Sequence, residues 1–481
     1  MDDLDALLKL LTRVKTKGWT NAFLDPSGDE EPQKEWEPLL TLLQEMGRAR
    51  ACLKATDVIR EHLRRKLRAL RRVNMPLVLE DGAKRLPDEV LAIIFEKGFI
   101  MDGSQFSLNV SHVSRRFRRI SIQMPLLWTR FEQTYSEGQI REFISRSGQL
   151  YVDVDVDGLS NVTASQTESF LQLLGENSHR WSSFYIPESG IESAMTRFGI
   201  TNLPRLRHLA HTCQVNLSTW SMPALTHVEA WSWLLPAGNP LLSQLTHFEL
   251  NIYEDSVDIQ ELAVVLHDMK KLQDLSLDLN YCKLAEDVNL PLDTAAYPKP
   301  HSIPIEKLTI HIYGAEMEYS AILFDALMHL TPSTLELSSS DEGPAEFFRN
   351  SKRQIFPYGS TIKLTTSKPI NVLETLADLD KSCDIVRTVH FDASSKDAMF
   401  GTRMPKFGVK VWRRLRSLSH LRFKNFDSLN EQVFEEFTKG LLLTKEESGL
   451  QSLEILSCKN MSEDFLLDLR DEVGDRLKWT L

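Results

Sequence analysis

The sequence predicts an α/β protein in which helical N-terminal segments are followed by an irregular solenoid of strand–helix repeats. Apolar residues recur at helical spacing through roughly the first 130 residues. From about residue 133 onward, short apolar strands recur along the chain, and amphipathic helix-like stretches separate them. An ordinary domain of alternating strands and helices is the alternative, and it explains the equal spacing of several copies less well.

The composition excludes several classes of protein. The chain has 481 residues, of which 42% are hydrophobic, and it can therefore bury a sizeable core. Its formal net charge of -11 argues against a general nucleic-acid binder, because affinity for phosphate requires a dense cationic surface. We therefore expect no nucleic acid among its partners.

The cysteines are scattered, and none forms a Cys-x-x-Cys pair. This spacing excludes the common zinc patterns and provides no disulfide framework, which fits a reducing compartment. The first residues are acidic where a secretory signal is positive, and no apolar run reaches the ~18 residues of a membrane span. We expect a cytoplasmic or nuclear protein with no membrane partner, no metal and no other cofactor. The cysteines are Cys52, Cys213, Cys282, Cys383 and Cys458.

Residues 1–80 are predicted to form a helical N-terminal region. A short helix is followed by a longer one from about Trp36 to Val73, which the stretch Asn74-Met75-Pro76 should end. The apolar positions of the longer helix follow a period of about 3.5, so either a self-associating coiled coil or an intramolecular packing helix results. The two apolar faces consist of Leu4, Leu7, Leu8, Leu11 and Val14, and of Leu39, Leu42, Met46, Ala49, Leu53, Leu63, Leu67 and Leu70.

The longer helix is basic between Arg64 and Arg72. One interpretation is an electrostatic docking or localisation patch. The simpler interpretation is a solvated helix face, since cations near a C-terminal end interact favourably with the helix dipole.

Residues 133–481 repeat the pattern Leu-x-x-Leu-x-Leu, whose second and third apolar residues point inward from one strand. Successive second apolar positions lie about 19 to 33 residues apart, with three consecutive steps of 27. Asn280 and Cys458 stand past the last leucine, where such a side chain satisfies backbone groups. The pattern resembles leucine-rich repeats and predicts a repeat domain over 133–481. The second apolar positions are Leu209, Val228, Phe248, Leu275, Leu308, Leu335, Ile362, Val389, Leu421 and Leu453.

Residues 84–132 contain three motif blocks. The first begins at Leu86-Pro87 and continues as an apolar helical stripe to Phe95, with proline near the helix start where its missing N–H costs nothing. The second block covers 108–120 and the third covers 124–128. So short a segment with this much apolar helical surface cannot readily form its own core, which predicts a partner protein.

The three blocks resemble an F-box in their order and spacing. The sequence departs from that family at Ser114, where cysteine is usual, at Phe117, where tryptophan is usual, and in a linker from Gly98 to Gln105 that lacks the usual leucines. The whole layout is similar to the large F-box groups of mushroom-forming fungi. The matching residues are Leu86, Pro87, Glu89, Val90, Leu91, Ile94, Phe95, Val113, Arg115, Ile120, Pro125, Leu127 and Trp128.

The resemblance implies an adaptor and not an enzyme. Its F-box would bind a Skp adaptor protein and through it a cullin, while the repeats would bind a protein substrate for a ubiquitin ligase. Trp128 would pack the box onto the repeats. The alternatives are a scaffold that binds Skp without ubiquitin transfer and, structurally, a self-contained helical linker. The candidate Skp-binding residues are Leu86, Pro87, Val90, Ile94, Phe95, Val113 and Phe117.

The stretch from Asp153 to Gly158 matches the first half of an EF-hand calcium loop. Ala164 occupies the position where the closing carboxylate is required. The alternation of valine and aspartate instead favours a half-buried strand with its acids on the wet face.

Two groups of residues on the repeats attract attention. His208, His227 and His247 each precede a second apolar residue, which predicts a shared repeat face and not a metal site. Four aromatic residues form either an exposed patch for substrate or part of the core. These are Trp220, Trp231, Trp233 and Phe248.

Overall fold

The computed structural model describes residues 8–9, 11–16, 37–156, 163–254, 257–284, 302–340, 349–350, 359–367, 371–382, 385–393, 407–427, 429–443 and 449–480. The chain forms two compact units, Met1–Ile94 and Phe95–Leu481. The boundary falls inside the segment 84–132 that the sequence sets apart. Its position indicates that Phe95 and the residues after it pack with the sheet that follows.

The first unit contains one long helix, α1, over Glu37–Arg85. The predicted helix end at Asn74-Met75-Pro76 is wrong, because α1 continues through Pro76. Proline removes one backbone donor, but its φ is compatible with the helix. Leu63, Leu67 and Leu70 are exposed on this helix, so the coiled coil stays a prediction. Of the predicted short helix, Leu4 and Leu7 lie outside the described residues, whereas 11–16 are helical.

The F-box-like segment forms three helical pieces. Helix α2 spans Asp88–Val113, with a break at Gly103, whose φ of 66° is left-handed. Helix α3 spans Arg115–Ile122, and a 3-10 turn covers Pro125–Trp128. The predicted linker from Gly98 to Gln105 is therefore helical on both sides of one glycine break. Gly98 lets the chain fold back closely, since a side chain there would overlap the ring of Phe106.

The second unit contains a single fourteen-stranded sheet whose strands are all parallel and lie in chain order. Parallel neighbours require crossover connections, and helices or longer segments provide them on one side of the sheet. The strands are β1 Arg130–Glu132, β2 Val152–Asp155, β3 Trp181–Ile186, β4 His208–His211, β5 His227–Trp231, β6 His247–Tyr253, β7 Asp274–Asn280, β8 Ile303–Tyr313, β9 Leu330–Ser339, β10 Thr361–Thr366, β11 Thr388–Ala393, β12 His420–Lys424, β13 Ser452–Leu456 and β14 Leu477–Thr480.

The helices after α3 carry one buried apolar face each. In α7, for example, Leu262 and Leu266 are buried while Val264 is exposed. This is the pattern expected of helices that cover one side of a sheet. They are α4 Glu137–Ser147, α5 Ala164–Gly175, α6 Ile191–Arg197, α7 Ile259–Asp268, α8 Met317–Ala326, α9 Val372–Ser382, α10 Val409–Arg416, α11 Glu431–Leu442 and α12 Glu463–Val473.

The predicted second apolar positions lie in one continuous row. Each pairs with the next across the sheet, from Leu209 on β4 to Leu453 on β13. The row extends to Phe131 on β1 and to Leu477 on β14. Every residue of the row is almost completely buried. The spacing observed in the sequence thus sets the register of the whole sheet.

Several strands end in the same way. A residue other than glycine adopts a left-handed conformation directly after the strand, and its N–H donates to a carbonyl of the next strand, which is the last carbonyl in every case except Ser232. After β7, for example, Tyr281 has φ 53° and donates to the carbonyl of Tyr313 at 2.7 Å. This bond satisfies a backbone donor at the corner where the strand leaves the sheet. The residues are Ser232, Glu254, Tyr281, Asn425 and Ser457.

A buried thiol follows two of these corners. Cys458 Sγ donates to the carbonyl of Leu456 at 3.4 Å, and Cys282 Sγ donates to that of Ile252 at 3.5 Å. The prediction for Cys458 is confirmed, whereas Asn280 does not hold this position. Strand β7 has seven residues where β13 has five, so the corner comes later and Cys282 occupies it.

Burial raises the pKa of Cys282 to about 12 and raises that of Cys458 as well. We therefore expect both thiols to react with iodoacetamide at least about a hundredfold more slowly in the native protein than in urea. Peptide mapping after timed labelling at mildly alkaline pH measures the two rates. Burial raises the pKa of the half-buried Cys213 to about 11, so we expect this thiol to react faster than Cys282 but more slowly in the native protein than in urea. Rapid native labelling of Cys282 would contradict this account.

The core also holds a histidine. Burial lowers the pKa of His329 to about 4 from 6.5, so its neutral form is the native one. Below the higher value the unfolded chain binds a proton that the native chain does not, and stability therefore falls as pH falls. We expect a loss of about 2 kcal/mol between about pH 7 and pH 5 from this residue. His329→Gln should reduce the dependence of the free energy of unfolding on pH, as measured by denaturant unfolding. The exposed His112→Gln is the control. An unchanged dependence on pH in His329→Gln would contradict a neutral, buried His329.

Candidate functional site

The predicted docking residues of the first unit are exposed. Pro87 directly precedes α2, and its carbonyl accepts from the N–H of Leu91 at 3.2 Å, which starts the helix. Leu86, Val90 and Ile94 are exposed around this helix start, with Ile94 at 47%. Leu91, which lies between them in the sequence, is buried.

Sequence reasoning missed one residue of this face. Ile93 is 59% exposed, more than any of the predicted residues beside it. It lies three residues after Val90, which is the spacing of neighbours on one helix face. That spacing was the signal that would have found it. We call Leu86, Val90, Ile93 and Ile94 the apolar helix face.

The three predicted docking residues of the second unit divide differently. Val113 is 65% exposed and Phe117 is half-buried, so both are accessible. Phe95 is only 1% exposed, and its ring packs edge-on against Phe117 at 5.1 Å and against Phe106 at 6.5 Å. The prediction that Phe95 contacts a partner conflicts with this burial. The sequence places Phe95 directly after Ile94 in the predicted apolar stripe. Only the packing of Phe95 against Phe117 of α3 determines that its side chain points inward.

The two residue substitutions that depart from the F-box pattern each have a local explanation. Ser114 caps α3, because its Oγ accepts from the N–H of Phe117 at 3.1 Å, which satisfies a backbone donor at the helix start. Phe117 supplies the aromatic ring that packs on Phe95. Neither substitution therefore leaves a gap in the second unit.

Trp128 ties this segment to the sheet, as predicted. It is fully buried, its ring packs edge-on against Phe143 of α4 at 4.9 Å, and its Nε1 donates to the carbonyl of Ser121 at 2.9 Å. The guanidinium of Arg146 lies 4.4 Å from the ring. A second tie is the hydroxyl of Ser104, which donates to Glu132 of β1 at 2.6 Å.

The face of the sheet opposite the apolar row carries polar and aromatic side chains. His208, His227 and His247 occupy consecutive positions of one register row, which confirms the predicted shared face. Adjacent rings lie 4.4 and 5.7 Å apart. Burial, together with the neighbouring His227, lowers the pKa of His208.

Carboxylates accompany the histidines. Nε2 of His227 lies 3.1 Å from Glu249, and Nε2 of His247 lies 3.1 Å from Asp274. The imidazole of His227 beside it lowers the pKa of Glu249. Among the residues that the structure describes, no three His, Cys, Asp or Glu side chains form a cluster that could hold a metal ion.

The four aromatic residues selected from the sequence separate into two groups. Trp220 and Phe248 are buried in the core, whereas Trp231 and Trp233 are exposed. Three exposed tyrosines near the same ends of the following strands were missed. They are Tyr253, Tyr281 and Tyr313. The signal available for Tyr253 and Tyr313 was their place on the outward-facing alternation of β6 and β8.

The EF-hand-like stretch belongs to a strand. Val152 and Val154 of β2 are buried, while Asp153 and Asp155 are half-exposed, as the alternation predicted. Residues 157–162 lie outside the described residues. None of the described helices is both long enough and apolar enough to cross a membrane. Comparison with protein-family models and with curated proteins finds no match to this chain.

The contrast between Ile94 and Phe95 can be measured. Phe95→Ala should lower the free energy of unfolding of the second unit by about 3–5 kcal/mol, because it removes a buried ring from between two others. Ile94→Ala, next to it on the same helix, should cost less than about 1 kcal/mol because the side chain is half-exposed. Thermal denaturation followed by circular dichroism compares the two, and equal losses would contradict the inward orientation of Phe95.

Proposed function

We propose that this chain is the substrate-receptor subunit of a Skp–cullin–F-box ubiquitin ligase. The observation that carries the proposal is the apolar helix face of Leu86, Val90, Ile93 and Ile94, exposed at the start of α2. This face begins in the motif that resembles an F-box. Helices that present apolar anchors in this way bind a groove of a partner protein.

The energetics favour a binding role for this face. Fully burying a leucine, isoleucine or valine side chain contributes about 1.5–3 kcal/mol. Four side chains that are already partly buried would each contribute a fraction of that on docking, so together they would supply part of the free energy of a specific interface. Exposing them to water without a partner has no compensating benefit for folding.

The second unit suits the substrate-binding half of the proposal. Parallel strands in chain order, several of them joined by helices, are what we expect if residues 133–481 form a leucine-rich-repeat-like solenoid. Such repeats present an extended face whose side chains vary from strand to strand. Here that face carries histidines, carboxylates and exposed aromatic rings. In this proposal the chain binds, and the conjugating enzyme of the ligase performs the chemistry.

The docking half is tested by a charge on the helix face. Val90→Asp should weaken binding to a recombinant Skp adaptor protein at least about a hundredfold, because docking would bury an unpaired carboxylate. Val264→Asp is the matched control, since Val264 is a helical valine of the second unit that is 43% exposed where Val90 is 38% exposed. Isothermal titration calorimetry with full-length protein gives both affinities. Undiminished binding by Val90→Asp would contradict the proposal.

The double variant Leu86→Ala, Pro87→Ala should lose co-purification with the Skp adaptor protein while the repeats stay folded.

A scaffold that binds Skp without ubiquitin transfer is the competing function. Co-purification of a cullin, followed by proteasome-dependent loss of a bound partner, would support the ligase. A Skp complex that contains no cullin would support the scaffold.

A further inference from the structure

The exposed aromatic rings gather at the ends of consecutive strands. Trp231 ends β5, Tyr253 ends β6, Tyr281 directly follows β7, and Tyr313 ends β8. The ring of Tyr281 lies between those of Tyr253, at 6.1 Å, and Tyr313, at 5.0 Å. We call these four residues the aromatic rim. An exposed row of large rings on adjacent strands is the composition of a binding hot spot.

The backbone of Tyr281 is unusual for an aromatic residue. Its φ of 53° lies in the left-handed region, which a bulky side chain rarely adopts. At the end of β8 the residue after the strand is Gly314, with φ 69°. Glycine adopts this conformation without strain. The tyrosine at the corner of β7 is therefore not the residue that folding alone favours. Strain held by a side chain that projects outward indicates a role in function.

Three carboxylates, which we call the acidic row, lie on the same face of the sheet as the rim. Glu229 and Glu249 are register partners on β5 and β6, and Asp278 lies on β7, where it pairs with Asn251. Burial and, after it, the charges of Glu249 and Glu229 raise the pKa of Asp278, although His311 opposes the shift. Asp278 therefore senses the charges of both glutamates, and a cation beside it would relieve that repulsion.

One contact joins the rings to the carboxylates. Nε1 of Trp231 donates to Oε1 of Glu229 at 2.9 Å, which holds the indole beside the acidic row. Aromatic faces next to carboxylates match the guanidinium group, which stacks on rings and forms paired hydrogen bonds with carboxylates. A lysine ammonium uses the charge but stacks less well. The acidic row repels the phosphates of nucleic acid.

We propose that the aromatic rim and the row of Glu229, Glu249 and Asp278 bind an arginine-bearing extended segment of a protein. The inference rests on the proposed function in taking this protein to be the substrate. Arginine side chains of the segment would stack on the exposed faces of rings of the rim and pair with carboxylates of the row. The segment would cross the ends of β5 to β8.

The test uses the full chain and short peptides that alternate glycine with arginine, lysine or glutamate. We expect the arginine peptide to bind, the lysine peptide to bind about tenfold more weakly, and the glutamate peptide not to bind, as followed by isothermal titration calorimetry. Equal affinity for arginine and lysine peptides would overturn the stacking part of the proposal. Binding of the glutamate peptide would overturn it entirely.

The sharpest variant is Tyr281→Gly. It should weaken arginine-peptide binding about tenfold while leaving the melting temperature unchanged or higher, since glycine fits the left-handed corner. A merely structural Tyr281 would instead give a lower melting temperature and unchanged binding, which would overturn the proposal. Trp231→Ala and Glu249→Gln should each weaken binding several-fold.

Tyr151→Ala is the matched control. Tyr151 is 44% exposed, as is Tyr281. It lies where β2 begins, whereas the rim lies where β5 to β8 end, and Arg205 and Arg207 lie over its ring. Its replacement should leave peptide binding unchanged, and an equal loss would overturn the assignment of the rim. The peptide assay contains no Skp adaptor, so Val90→Asp should bind peptide normally. Failure of the docking proposal and failure of this one are therefore distinguishable.

Discussion

One row of buried apolar residues, shared by fourteen parallel strands, organises the second unit. Because side chains alternate along a strand, burying this row fixes which residues of every strand face outward. A slip of one residue in any strand would bury its polar side chains and expose its apolar ones. The histidine row, the carboxylates beside it and the rings at the strand ends all owe their common face to this register. The apolar row therefore determines the surface as strongly as it determines the core.

The F-box-like segment shows the same division between core and surface at smaller scale. Phe95 and Trp128 are buried against rings of the second unit, whereas the apolar helix face and Val113 are exposed. Neighbours in the sequence thus have different surroundings, with Phe95 inside the core and Ile94 exposed. Caps and glycines make the arrangement possible, since Ser114 starts α3 and the break at Gly103 turns the chain between two helical stretches. A short segment can in this way belong to a core and still expose an apolar face.

The strand corners connect backbone geometry with surface chemistry. Each left-handed residue donates its N–H to the next strand, and this bond offsets an unfavourable conformation of about 1 kcal/mol or more. At most of these corners the side chain is small or polar, but Tyr281 is large and lies between two other tyrosines. The corner that satisfies the backbone therefore also projects a ring beside the acidic row. Stability and recognition are set at the same few residues.

The sequence alone determined the α/β class, the inward positions of ten strands and the outward position of the three histidines, because these follow from local periodicity. It also identified most of the apolar helix face. It did not determine that α1 passes through Pro76, that Phe95 turns inward, or that Cys282 and not Asn280 follows the corner of β7. The orientation of Phe95 was decided by contacts with other rings, and the position of Cys282 by the length of a strand. The aromatic rim belongs to the same group, since only the alignment of four strand ends places Tyr253, Tyr281 and Tyr313 side by side.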